Sequence, residues 1–125
     1  MEIILSHSSD KPIYEQITSQ IKRMIASGEL PPGELLPSMR VLARDLRISV
    51  ITTKRAYQDL ERDGFIETVA GKGSFVAGKN AELIREEHLR LVEESLSCAV
   101  ETARMGGITR REVEELLNIL YEEEG

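Results

Sequence analysis

A chain of 125 residues with 41% hydrophobic but only 4% aromatic content, and no Trp, has material for one aliphatic core or a small domain with an appendage. Its single cysteine, Cys98, excludes an internal disulfide, and no window nears the ~18 apolar residues of a membrane span; "MEIILSHSSD" also lacks the basic and long apolar regions of a signal peptide, so a cytoplasmic location is expected. The net charge of −6 would argue against nucleic acid if it were evenly spread, but residues 79–125 hold six Lys/Arg against twelve Asp/Glu while residues 1–78 hold ten of each.

In chain order, "MEIILS" suits a short strand. Pro12 opens a helix with Tyr14, Ile17, Ile21, Met24 and Ile25 along one face, and Gly28 is its expected stop. "LPPG", Leu30 to Gly33, reads as a tight turn. Ser38 caps a second short helix, "MRVLARDL", expected to bury Val41, Leu42 and Leu46. After a break at Arg47-Ile48, a helix capped by Ser49 runs to Gly64 with Ala56, Tyr57 and Leu60 in the core. In "FIETVAGKGSFVAG", alternation from Phe65 to Val69, a Gly71-Lys72-Gly73 turn and a return from Ser74 to Ala77 predict a β-hairpin. Two short helices joined by a tight turn, with a helix before and a hairpin after, is the plan of a winged helix-turn-helix.

The third helix begins strangely. Val50-Ile51-Thr52-Thr53 is a β-branched run of poor helix formers, followed by the cations Lys54 and Arg55. Residues 40–55 carry five cations (Arg40, Arg44, Arg47, Lys54, Arg55) and one anion, Asp45, a local charge of +4. Ser49, Thr52, Thr53, Lys54 and Arg55 lie in the first two turns, facing outward to different degrees. Short hydroxyls and methyls there suit base edges and thymine methyls, and a helix N-terminus favours phosphate. The plainer alternative is a solvated polar face.

Beyond a linker at Lys79-Asn80-Ala81, Glu82 to Met105 reads as one helix. Ile84, Leu91, Val92, Leu96, Cys98, Ala99 and Ala103 spread over more than half of its circumference, with Glu86, Arg90, Glu93, Ser97 and Arg104 opposite. Gly106-Gly107 breaks it, and "TRRE" (Thr109 to Glu112) is a capping box that starts a last helix with Val113, Leu116, Leu117 and Leu120 on one face. One helical hairpin cannot bury so wide an apolar face, whereas two copies in a four-helix arrangement can; a symmetric homodimer is expected, with His88 at the interface or on the surface.

The stretches "SGELPPGELLPSMR", "AYQDLERDGFIE" and "GKGSFV", within residues 11–77, resemble the DNA-binding domain of GntR-type bacterial transcription regulators, and the tail resembles the short two-helix appendage of the YtrA-like branch. The resemblance implies a mainly α fold with a β-hairpin wing, residues 1–78 forming the winged helix-turn-helix and 79–125 a two-helix dimerisation tail. It further implies DNA contacts by Arg40, by Ser49, Val50, Thr52 and Lys54 of the recognition helix, and by Gly71, Lys72 and Gly73 of the wing tip. Arg47 replaces the glycine usual in the inter-helix turn, which sets a left-handed penalty of ~1 kcal/mol there. Val50 and Ile51 stand where many members carry polar base readers, so the operator sequence does not transfer.

Other chemistries fit poorly. "AGKGS" lacks the spacing of a P-loop, since Lys72 is followed by Gly73 and a strand rather than Ser/Thr and a helix. His7 and His88 have no partners at metal-ligand spacing, and Cys98 has no sequence neighbour that would activate it. No catalytic constellation appears, so no enzyme and no cofactor are expected, and 47 residues of tail are too few to wrap a metabolite pocket of ~300 Å³ or more. The expected partners are a double-stranded operator and a second copy of the chain, in the manner of a repressor. The alternative is a winged helix that binds protein instead.

Overall fold

The computed structural model describes residues 1–78 and 81–123 and falls into two compact units, Met1–Glu87 and His88–Gly125. Of the expected linker Lys79-Asn80-Ala81, residues 79 and 80 lie outside the described residues, and Ala81 is instead the first residue of a helix. The fold is mainly helical with a two-stranded antiparallel hairpin, in the order α1 (Ile13–Ser27), α2 (Met39–Leu46), α3 (Val50–Arg62), β1 (Ile66–Val69), β2 (Gly73–Val76), α4 (Ala81–Met105), α5 (Arg110–Glu123). The division between the units falls within α4.

In the first unit α1 starts after Pro12, whose ring fixes a φ compatible with helix entry, and ends at Gly28, left-handed at φ 84°. Its face of Ile17, Ile21, Met24 and Ile25 meets Ala56, Tyr57 and Leu60 of α3, and Leu42, Phe65, Ile66 and Val76 complete one aliphatic core. Tyr57 is buried, yet its hydroxyl donates to the Pro37 carbonyl at 2.6 Å, and burial pushes its pKa up to about 12. In α2 the structure buries Leu42 and Ala43, while Val41, expected inside, faces solvent: an eight-residue helix has only a narrow stripe to turn inward.

The segment "MEIILS" is not a strand. Ile3 is buried, but the neighbour of its backbone is a helix. The Ile4 N–H donates to Gln20 Oε1 (2.9 Å) and Gln20 Nε2 donates back to the Ile4 carbonyl; Ser6 exchanges the same two bonds with Gln16. Two primary amides one helical turn apart thus replace the ladder that a β partner would provide.

The hairpin pairs Ile66 with Val76, Glu67 with Phe75, Thr68 with Ser74 and Val69 with Gly73. It is tied to the rest of the unit on both sides. Leu36 N–H donates to Ser74 O and Val76 N–H to Glu34 O, while Thr68 N–H reaches the Glu61 carboxylate of α3 at 3.1 Å. The wing is therefore anchored at its base and free at Gly71-Lys72.

In the second unit, α4 ends at Gly106-Gly107, and the capping box forms as expected: Glu112 N–H donates to Thr109 Oγ1 (3.2 Å) and Thr109 N–H to Glu112 Oε1 (3.1 Å). Beyond this turn the backbones of α4 and α5 make few close approaches to each other. An open groove of about 460 Å³ lies between them, lined by Leu96, Cys98, Ala99, Ala103, Val113, Leu117 and Leu120 among others. A second apolar face on α4, with Leu89, Val92, Leu96 and Val100, also stays exposed.

Candidate nucleic-acid interface

The interface is built around the turn between α2 and α3. Ser38 Oγ accepts the Val41 N–H and so starts α2 with Arg40 in its first turn. Arg47 closes the helix at φ 57°, ψ 48°, the one non-glycine with positive φ among the described residues. Its N–H bonds back to Arg44 O and the next, from Ile48, to Ala43 O, so the left-handed step is held by two helix-end hydrogen bonds. Arginine thus bears the left-handed conformation anticipated from the sequence, one that suits glycine better. What the position gains is a third exposed cation beside Arg40 and Arg44.

Ser49 then caps α3, and the cap uses up polar groups. Its Oγ accepts the Thr52 N–H at 3.1 Å and pairs with Thr52 Oγ1 at 2.8 Å. Thr53, expected to face outward, has 0% exposure, and its Oγ1 donates to the Ser49 carbonyl (3.2 Å). That corrects its assignment as a DNA contact: it shares the core face of α3 with Ala56, Tyr57 and Leu60. Arg55 is not a free outward cation either. Its guanidinium lies 3.8 Å from the ring centroid of Tyr14 and donates to the Tyr14 hydroxyl at 3.1 Å, a stack that fixes it against α1. Nothing in the spacing of Tyr14 revealed this, because it looked like one more residue of the α1 core face.

Val50, Ile51 and Lys54 stay exposed, as do Arg40, Arg47 and Lys72. Among the described residues no carboxylate pairs with Arg40, Arg47, Lys54 or Lys72, whereas Lys22 and Arg62, away from this face, pair with Asp63 and Asp59. Unpaired cations beside a capped, accessible helix N-terminus attract a polyanion. Gly71 and Gly73, at φ 77° and 112°, give the wing tip backbone conformations that side chains resist.

The residues expected at a dimer interface divide between the two units. Leu96, Cys98, Ala99, Val113, Leu117 and Leu120 line the α4–α5 groove, Val92 lines the other face of α4, His88 is exposed and Leu91 half-buried. Ile84 is different: it belongs to the first unit, where it borders a small recess with Ile25, Phe65 and Leu83. The opening turns of α4 thus pack with the winged core. Among the described residues no cluster of His, Cys, Asp or Glu is arranged for a metal ion, and no described helix is long and apolar enough to cross a membrane.

A short helix pair crossing at a tight turn, with an anchored hairpin beside it and bare cations on one face, is a winged helix-turn-helix. Comparison with known proteins agrees. Residues 13–76 match the bacterial regulatory proteins of the gntR family, and the chain belongs to that family as a DNA-binding transcription regulator of its YtrA-like branch. It is 34% identical over 107 residues, 86% of this chain and 82% of the other, to the HTH-type transcriptional repressor YtrA of Bacillus subtilis (strain 168). The solved structure of YtrA from Sulfolobus acidocaldarius, a GntR-family transcription factor, superposes with a TM-score of 0.60 at 30% identity and 97% coverage of both chains. The DNA-binding domain of AraR in complex with operator ORX1 matches 62% of this chain, and 96% of its own length, with a TM-score of 0.55 at 28% identity.

Proposed function

We propose that the chain is a homodimeric repressor of transcription that binds an inverted-repeat operator, with residues 1–78 contacting DNA and residues 79–125 holding two copies together. The observation that carries the dimer is the open groove between α4 and α5. It is large and lined mainly by aliphatic side chains, with the Thr102 hydroxyl and the Cys98 thiol as the polar exceptions among the described residues, a poor set for holding a polar metabolite. An apolar helix face from a second copy suits its chemistry, and a two-fold arrangement would bury the same face on both partners. Repression is supported by the relative named above, itself a repressor.

DNA enters with α3 in the major groove. Arg40 approaches bases or the adjacent backbone; Lys54 and Arg47 neutralise phosphate. Lys72, on its glycine-flanked tip, reaches the minor groove or phosphate, where little sequence information is available. Two-fold symmetry requires an operator with half-sites in inverted repeat, centred about one turn, ~10 bp, apart or less. The test is selection of binding sites from random DNA with the full chain, combined with sedimentation at micromolar concentration. A symmetric site and a dimer are expected; a monomer, or selected sites without two-fold symmetry, defeats the proposal. Binding must also weaken steeply with salt, and salt-insensitive binding would instead favour a protein partner for the wing.

A further inference from the structure

The first turn of α3 carries an odd set of side chains for a helix that reads DNA. Its hydroxyls are committed: Ser49 to the cap, Thr52 to Ser49, Thr53 to the interior. Arg55 is stacked on Tyr14. The side chains left facing outward in that turn are Val50 and Ile51, with Ile51 81% exposed and on the side of the helix opposite the core residues Thr53 and Leu60. Single exposed apolar residues are common and usually mean nothing. This one is a poor helix former at the N-terminal turn of a recognition helix, in a segment whose exposed Arg47 and Lys54 have no carboxylate partner among the described residues and would attract a nucleic acid.

An isoleucine in a major groove has no hydrogen bond to offer. Against the exposed polar edge of a guanine, cytosine or adenine it removes water without replacing the lost bonds. The groove's one apolar group is the C5-methyl of thymine. We propose that Ile51, flanked by Val50, selects thymine at one or two steps of each half-site through contact with the 5-methyl group. The proposal rests on α3 being the groove-facing helix and adds to it a reading chemistry that is apolar rather than hydrogen-bonded.

The experiment uses the full-length chain and the operator selected from unmethylated synthetic DNA, so methylated cytosine is excluded as a source of the methyl. Each thymine is replaced in turn by deoxyuridine, which removes only the methyl group, and affinity is followed by fluorescence anisotropy. At one or two thymines per half-site the wild-type chain should lose about fourfold, the worth of one buried methyl. Ile51→Ala, at a solvent-facing position, should bind thymine and uracil versions equally at those steps and keep wild-type discrimination elsewhere. If no thymine shows more than a twofold methyl effect, or if the effect survives in Ile51→Ala, the assignment is overturned while the operator itself stands. If selection yields no preferred sequence, the groove-facing reading of α3 fails with it. The uracil scan on wild-type protein does not depend on how any variant folds.

Discussion

In the winged unit Ile17, Ile21 and Leu60 are sealed from water, and Met24 and Ile25 of α1 and Ala56 and Tyr57 of α3 join them in one core within the unit. In the tail, Leu96, Leu116, Leu117 and Leu120 keep between 42% and 61% of their surface exposed, and among its described residues Ala103 is the one buried hydrophobic. The amino-acid types are the same; the difference is in geometry. Three helices and a hairpin surround a common centre, whereas two helices joined by a glycine turn have no centre of their own. A domain that closes its own core specifies its fold alone. A pair of helices that leaves its leucines in water presents an apolar surface of the kind that marks an interaction site.

The largest effect should come from breaking the closed core. Leu60 is fully buried between α1 and the hairpin, so Leu60→Ala should cost about 2–5 kcal/mol in denaturant unfolding of the winged unit. Sedimentation of the folded fraction should be unchanged, because the tail does not contain the lesion. Loss of self-association in this variant would mean that the winged unit, not the tail, holds the copies together.

The converse experiment loads the open region. Leu117→Glu places a charge in the α4–α5 groove, which Leu117 lines. Monomers should appear in sedimentation, and operator affinity should fall by on the order of a hundredfold as two linked half-site contacts become independent. Thermal melting of the winged unit should be unaffected. A dimer that survives this substitution removes the groove from the interface.

Much of this contrast was legible in the sequence, because helix caps and glycine stops are local. Ser38, Ser49, Gly28 and the Thr109–Glu112 box sit where pattern placed them, and each works through atoms within a few residues. What was not legible depended on neighbours distant in sequence. The Gln16 and Gln20 amides that hold the N-terminal segment, the Tyr14 platform under Arg55, and the burial of Thr53 all arise where α1 crosses α3 or the chain start. Thr53 is the instructive failure. A hydroxyl residue beside two cations reads as surface, yet its methyl fills the core and its hydroxyl closes onto the backbone one turn back. The placement of Ile84 was hidden for a related reason: helical periodicity continues through α4, while the compact unit its residues belong to changes partway along.

Within the DNA-facing surface a second comparison, between helix and wing, should separate specificity from affinity. Arg40→Ala should cost ~1–3 kcal/mol on the operator and relax base preference. Lys72→Ala should weaken operator and scrambled DNA alike and lower the salt slope by about one unit. Should Lys72→Ala alter base preference while Arg40→Ala leaves it intact, helix and wing have exchanged roles.

The smallest effect probes how the closed unit is pinned at its edge. Asp63 follows α3, and its carboxylate accepts from Lys22 of α1 at 2.9 Å and from Arg62 at 3.3 Å. Partial burial pushes its pKa up, but the Lys22 hydrogen bond and the charges of Lys22 and Arg62 outweigh that, leaving it below the ordinary carboxylate value. A carboxyl whose folded pKa is depressed binds its proton more readily in the unfolded chain. Its contribution to stability is therefore complete above the unfolded pKa of ~4 and is lost as pH falls through the lower folded value. Because Asp63 is about a third exposed and Arg62 largely so, solvent screening keeps the pair with Lys22 to a few tenths of a kcal/mol, up to ~1. Lys22→Met keeps most of the aliphatic stem and deletes the ammonium that lies 5.1 Å from the Phe65 ring centroid. The variant should be slightly less stable than wild type at pH 7, and the difference should shrink as pH falls below 4. A difference that stays constant from pH 7 to pH 2.5 would assign the effect of Lys22 to its packing and its contact with Phe65 rather than to the ion pair with Asp63.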